Sequence, residues 1–159
     1  MGKTEVAVVE KRSLAKGLIA GLIGGLAGTV AKTFAERMFP PRTHGEPQPP
    51  ELAAERMAGH ALDPAATAAA AEGIHWGFGA AAGAVYGALA EFYPTATAHE
   101  GVSFGLTLGT LTHEGALSAF GLSAEPEDQT LRERGSEATS HVVYGVATEL
   151  VRRFVRRLL

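Results

Sequence analysis

Three pairings of histidine with carboxylate carry most of the chemistry this sequence could perform. Glu72 and His75 stand three residues apart, Glu114 follows His113 directly, and His141 follows Glu137 by four. Residues three or four apart share a helix face. Imidazole titrates near neutral pH and ligates metals, and a carboxylate can pair with it, relay its proton or share its metal. Lys32 and Glu36, again four apart, add a cation and a further acid. Such a set supports three chemistries: polar contacts that join helices, a proton-sensitive or proton-conducting site, or a metal centre. The Glu72–His75 spacing is the one used in di-iron carboxylate bundles, although that pattern needs more carboxylates at matched depth. A second set, Glu91, Glu149, Arg152 and Arg153, reads as ion pairs or caps near helix ends, with Glu149 and Arg153 four apart. His44, His60 and His99 read as loop or interfacial residues.

Other chemistries are excluded or unsupported. With no cysteine, there are no disulfides, thiolate metal sites or cysteine nucleophiles. The run GLIGGLAG has the glycine content of a phosphate loop but lacks GK[ST] and a preceding strand. His113-Glu114 lacks the second histidine of a zincin helix, and Asp63 and Asp128 both fall in loops, so no Ser-His-Asp set assembles. An enzyme is therefore not the expected reading. A formal charge of -3 gives no reason to expect nucleic-acid binding. No cofactor is predicted, a metal at the histidines being the one admissible addition.

The elements that must position these residues are apolar and rich in small side chains. Of 159 residues, 20 are glycine and 29 alanine. Four apolar stretches stand out: Leu14 to Phe39, Ala68 to Tyr93, Gly101 to Leu122 and Glu137 to Phe154. The first holds fifteen uncharged residues between Lys16 and Lys32, which snorkelling lysines could extend to bilayer width. Gly17, Gly21 and Gly25 recur every four residues, as do Gly79, Gly83 and Gly87, and Gly101, Gly105 and Gly109; Gly73 and Gly77 make a further pair. In water each interior glycine costs a helix about 0.5–1 kcal/mol relative to alanine, whereas in lipid small residues four apart let helices pack closely. The expected fold is therefore all-α, a polytopic membrane protein of four transmembrane helices packed through Gly/Ala faces. Residues 1–13 form an N-terminal segment, 14–155 the membrane domain and 156–159 a basic end. Pro40 to Pro64 is a long first connection with a short amphipathic helix at Glu51 to Leu62.

Charge then sets the expected topology. Lys3, Lys11, Arg12 and Lys16 precede the first stretch, and Arg152, Arg153, Arg156 and Arg157 end the last. An even number of spans and the positive-inside rule put both termini in the cytoplasm, against which Arg42, Arg56, Arg132 and Arg134 in the outer loops count. The first stretch lacks a cleavage site and reads as a retained helix. In this arrangement Lys32, Glu36, Glu72, His75, His113, Glu114, Glu137 and His141 gather in the outer half of the membrane. The function expected is a small multi-pass protein of the bacterial inner membrane whose Glu/His layer stabilises the bundle and responds to protons. A proton or small-ion route and a metal-binding membrane enzyme or assembly factor are the alternatives. The expected partners are the lipid bilayer and a second copy or another membrane protein.

Several of these residues resemble the YagU-like (DUF1440-type) family of small bacterial inner-membrane proteins. Lys32, Glu36 and the PPR run Pro40 to Arg42 are similar to that family's first-helix exit. His75, Tyr86 and AEFYP at Ala90 to Pro94 resemble its second helix, His113 its third, and Glu137, His141 and TELVRR at Thr148 to Arg153 its last. The resemblance runs from Leu14 to Arg153, departing from the family in its lack of tryptophan in the first and last helices. It implies a membrane protein of unestablished reaction, linked to acid or envelope stress.

Overall fold

A computed structural model of the chain describes residues 12–42, 47–122 and 129–159. Lys3, Lys11, His44, Asp128 and the Glu114 side chain lie outside the described residues.

The helices start and stop where local chemistry dictates. α1 (Leu14–Met38) begins after Ser13, whose hydroxyl accepts the Lys16 amide at 3.4 Å, and ends before Pro40-Pro41. α2 (Pro49–Ala58) opens on two prolines, with the Gln48 amide donating to Glu51 Oε2 at 2.9 Å, and closes on Gly59 at φ 74°. α3 (Pro64–Phe92) is capped by Asp63, which accepts the amides of Ala65 and Ala66 at 3.1 and 3.0 Å. A 3₁₀ segment, Pro94–Gly101, then turns the chain. α4 (Val102–Gly109) runs into a π-helical segment, Thr110–Ala116, and the short α5 (Leu117–Ala119). α6 (Leu131–Leu158) starts at a reciprocal Thr130–Glu133 capping box, the Thr130 amide to Glu133 Oε2 at 3.0 Å and the Glu133 amide to Thr130 Oγ1 at 3.2 Å.

α1 packs between α3 and α6, while α4 packs on α6 and α2 on α3. Close approach explains why bulk is missing along the α1–α3 seam: a Cβ on Gly21 would collide with the Gly83 carbonyl oxygen, and one on Gly83 with the Gly25 Cα. Tyr86 of α3 stacks on Phe104 of α4 with centroids 4.1 Å apart, and Tyr144 of α6 meets the same ring at 5.8 Å. The interior is otherwise made of small and polar groups. Ala20, Ala54, Tyr86 and Tyr144 are the buried hydrophobic residues, whereas Leu18, Ile19, Leu22, Ile23 and Val30 of α1 point outward.

The expected count of four membrane spans is corrected. Among the described residues, α1 alone is long and apolar enough to cross a membrane. Alanine and glycine dilute the large apolar residues of α3, and His75 and Trp76 interrupt them. The third stretch continues from α4 through the π segment into α5, and His113 and Glu114 interrupt its apolar run. α6 carries charge toward both ends, from Arg132 to Glu137 and from Glu149 to Arg157. The multi-pass inner-membrane location with both termini cytoplasmic falls with that count, because an even number of spans was its premise.

Candidate functional site

The site forms where the π segment meets α6. An i,i+5 turn widens the helix around His113, with the Leu117 amide reaching the Thr112 carbonyl. Nearby hydroxyls take up the displaced carbonyls: Thr112 donates to Leu108 O at 2.7 Å and Ser118 to His113 O at 2.8 Å. Opposite, α6 presents Glu137 and His141 on one face. Glycine makes the room, since a Cβ on Gly109 would lie 2.9 Å from the His141 ring.

His113, Glu137 and His141 converge, with their ligand atoms within 4.8 Å of one another. His113 Nε2 lies 3.1 Å and His141 Nδ1 3.3 Å from Glu137 Oε1, and Lys32 Nζ lies 3.5 Å from the same oxygen. That oxygen is buried and has no hydrogen-bond partner. Arg42 approaches the other carboxylate oxygen at 4.0 Å. His141 Nδ1 also lies 2.9 Å from the Glu137 carbonyl oxygen, to which a proton on that nitrogen would donate. The two imidazoles meet edge to face, centroids 5.0 Å apart.

Electrostatics keeps both rings neutral. Burial pushes His113 down to about 2, helped by His141, Lys32 and Arg42. Burial and Lys32 also lower His141, outweighing the pull of Glu137. A neutral imidazole carries the lone pair that a metal takes. The two histidines also line a cavity of about 180 Å³ walled by Ile74, Phe78 and Leu108 and reached by Lys32.

The other residues read as one layer in the sequence are distributed differently. Lys32 and Glu36 form an ion pair beside the cluster. His75 is half-buried, 3.3 Å from Thr33 Oγ1, and lines the same cavity; burial and Lys32 lower its pKa. Glu72 is exposed, its carboxylate accepting from Trp76 Nε1 at 2.8 Å. The expected intramembrane layer is corrected accordingly: His113, Glu137 and His141 lie on the π segment and α6, outside the one helix apolar enough to span. The proton route and the membrane enzyme, which needed that layer in lipid, lose their premise.

A second buried cluster lies at the other end of α6. Glu149 is fully buried. It accepts from Arg152 Nε and Nη2 at 2.6 and 2.8 Å, from Arg153 at 3.2 and 3.1 Å, and from the Tyr86 hydroxyl at 2.9 Å. Burial alone would raise its carboxyl, yet these donors hold it below the ordinary value. Glu91 of α3 accepts a fork from Arg156 at 2.8 and 2.7 Å and the Ser13 amide at 2.6 Å; the Arg156 bonds keep its pKa low. Arg156 and Tyr86 had no assigned partner in the sequence reading, for each lies more than sixty positions from the acid it meets.

No curated protein and no solved structure matches the chain. The family model described as a protein of unknown function, DUF1440, matches residues 26–150, a stretch that contains the whole His/Glu cluster and reaches Glu149. The chain belongs to the DUF1440 (YagU-like) family.

Proposed function

We propose that this protein binds a divalent transition-metal ion of the zinc class through His113, Glu137 and His141. The observation that carries the reading is the convergence of two imidazoles and a carboxylate oxygen within 4.8 Å, with Glu137 Oε1 buried and lacking a hydrogen-bond partner. Two histidines and one glutamate suit zinc and its neighbours in the first transition row, and three protein ligands leave a position for water. Lys32 is the competitor. Its ammonium must leave Glu137 when a dication arrives, and Glu36 is already in place to hold it. The test is titration of the chelator-treated chain with zinc, and with cobalt(II) as a spectroscopic stand-in. The reading expects one ion per chain, visible cobalt bands of a four-coordinate site, and loss of both in His113→Ala and Glu137→Gln. Binding that those replacements leave intact overturns it.

The outward face of α1 supports a second reading, that a lipid bilayer covers it. Leu18, Ile19, Leu22, Ile23 and Val30 are exposed on a 25-residue helix, an apolar strip that water solvates poorly. The chain should float with phosphatidylcholine vesicles, and Leu18→Ser/Leu22→Ser should release it. Flotation unchanged by the double replacement would remove this reading.

A further inference from the structure

We infer that the arginine-lined cavity at the opposite end of the molecule binds a phosphate group. The cavity measures about 330 Å³ and is lined by Arg12, Arg152, Arg153, Arg156 and Arg157, with Glu91 as its one acidic wall residue. Three of the five guanidinium groups are fixed from behind. Glu91 holds Arg156, Glu149 holds Arg152, and Arg153 is shared between Glu149 at 3.1 Å and Glu100 at 3.0 Å. The guanidinium groups of Arg152 and Arg153 carry more N–H donors than these carboxylates take up, so their fixed forks retain donors for a ligand.

The other two are not fixed by acids. Arg12 and Arg157 are exposed, and among the described residues neither pairs with a carboxylate; Arg12 Nη1 makes one long contact, 3.5 Å, with the Phe92 carbonyl oxygen. Among the described residues, five guanidinium groups face the carboxylates Glu91, Glu100 and Glu149, an excess of positive charge at this end. Such an excess is costly to leave uncompensated, and it attracts anions. A phosphate group matches it better than a carboxylate does, since it brings up to two charges and several acceptor oxygens that planar guanidinium forks engage in pairs. Arg12 lies two residues before the first residue of α1, so the phosphate can arrive free in solution or as the headgroup of an anionic lipid.

The experiment uses the purified full-length chain. Inorganic phosphate is titrated in by calorimetry, and flotation is measured with phosphatidylcholine vesicles with and without phosphatidylglycerol, at low and high salt. Phosphate binding, or flotation that phosphatidylglycerol strengthens and salt weakens, is the expected result. Arg12→Gln/Arg157→Gln should reduce it about tenfold. Both side chains are exposed, so circular dichroism should show unchanged helix content. Arg37→Gln/Arg132→Gln, two exposed arginines away from the cavity, should leave binding as it was. Free phosphate that displaces the chain from vesicles identifies the soluble source, and vesicle binding that phosphate does not compete for identifies the headgroup. The inference is overturned if neither probe binds, or if both double variants lose binding equally, which would mark a diffuse charge effect.

Discussion

Two of the glutamates that α6 buries, Glu137 and Glu149, stand twelve positions apart, about 18 Å along the helix, and their surroundings are opposite. Glu149 is met by five donor contacts from Arg152, Arg153 and Tyr86. Glu137 is met by two imidazoles held neutral and by one lysine that Glu36 also holds. A carboxylate saturated with fixed donors is part of the architecture, because removing it strands the buried Arg152. A carboxylate with one oxygen lacking a hydrogen-bond partner, and with its lysine shared with Glu36, can still take on a metal cation. The same residue type on the same helix therefore does structural work at one end and presents a ligand at the other.

Replacing each carboxylate by its amide tests the contrast most strongly. Glu149→Gln leaves Arg152 buried and unpaired, and breaking such a pair costs about 3–5 kcal/mol. Glu137→Gln removes a charge from among neutral rings and should cost about 1 kcal/mol or less. Chemical denaturation of the two variants measures the difference directly. Equal losses would mean that the two ends are not different in kind.

Metal reverses the ranking. Zinc at a free concentration of about a hundred times its dissociation constant should stabilise the wild-type chain by about 2.7 kcal/mol, with chelator restoring the original midpoint. Glu149→Gln should keep that increment on its lower baseline, and Glu137→Gln should lose it. A zinc shift of equal size in Glu137→Gln would transfer the metal elsewhere.

The sequence announced parts of this arrangement and hid others, for physical reasons. Glu137 and His141 lie one helical turn apart, so their shared face could be read directly. Pro40-Pro41 ended the first helix, and Pro94 the longest one, as proline must. The start of α6 was missed by six residues because the cue is a polar one, Thr130 with Glu133, in a stretch read as loop. Glu72 was placed with His75 on spacing alone, but α3 is so rich in alanine that no apolar stripe reveals which side faces in, and the structure turns Glu72 outward. The error over membrane spans has a similar root. Glycines four apart allow backbones to approach in any solvent, so their spacing carries no information about lipid and cannot count crossings. Pairs such as Glu91 with Arg156 join residues 65 positions apart and leave no local trace.

Acid separates the ends on the pH axis. Glu149 and Glu91 both have folded-state pKa values held below the ordinary 4.5. The unfolded chain thus takes up protons first as pH falls, and the stability these groups contribute is fully present above about 4.5 and lost on descent through their folded values. Each carboxylate adds at most about 1.4 kcal/mol per pH unit to the slope. Denaturation midpoints of the wild type should fall below pH 4.5 more steeply than those of Glu149→Gln. Parallel slopes would mean that Arg152 and Arg153 do not depress Glu149.

The smallest expected effect isolates Lys32. Its ammonium stands 3.5 Å from Glu137 Oε1, where it neutralises the carboxylate in the absence of metal and opposes a dication when one is present. Lys32→Met keeps the apolar stem and deletes the charge. Without metal, the loss is softened because Arg42 remains 4.0 Å from the other oxygen of Glu137, so stability should change by about 1 kcal/mol or less. With metal, the sign inverts: one repulsive charge fewer should tighten zinc binding by about fivefold, the equivalent of about 1 kcal/mol. Arg153→Met at the other end, where the cation supports a carboxylate that Arg152 also holds, should leave zinc affinity unchanged. Weaker zinc binding in Lys32→Met would show instead that the lysine positions Glu137 for the metal, and the site would then have to be described as built on four residues rather than three.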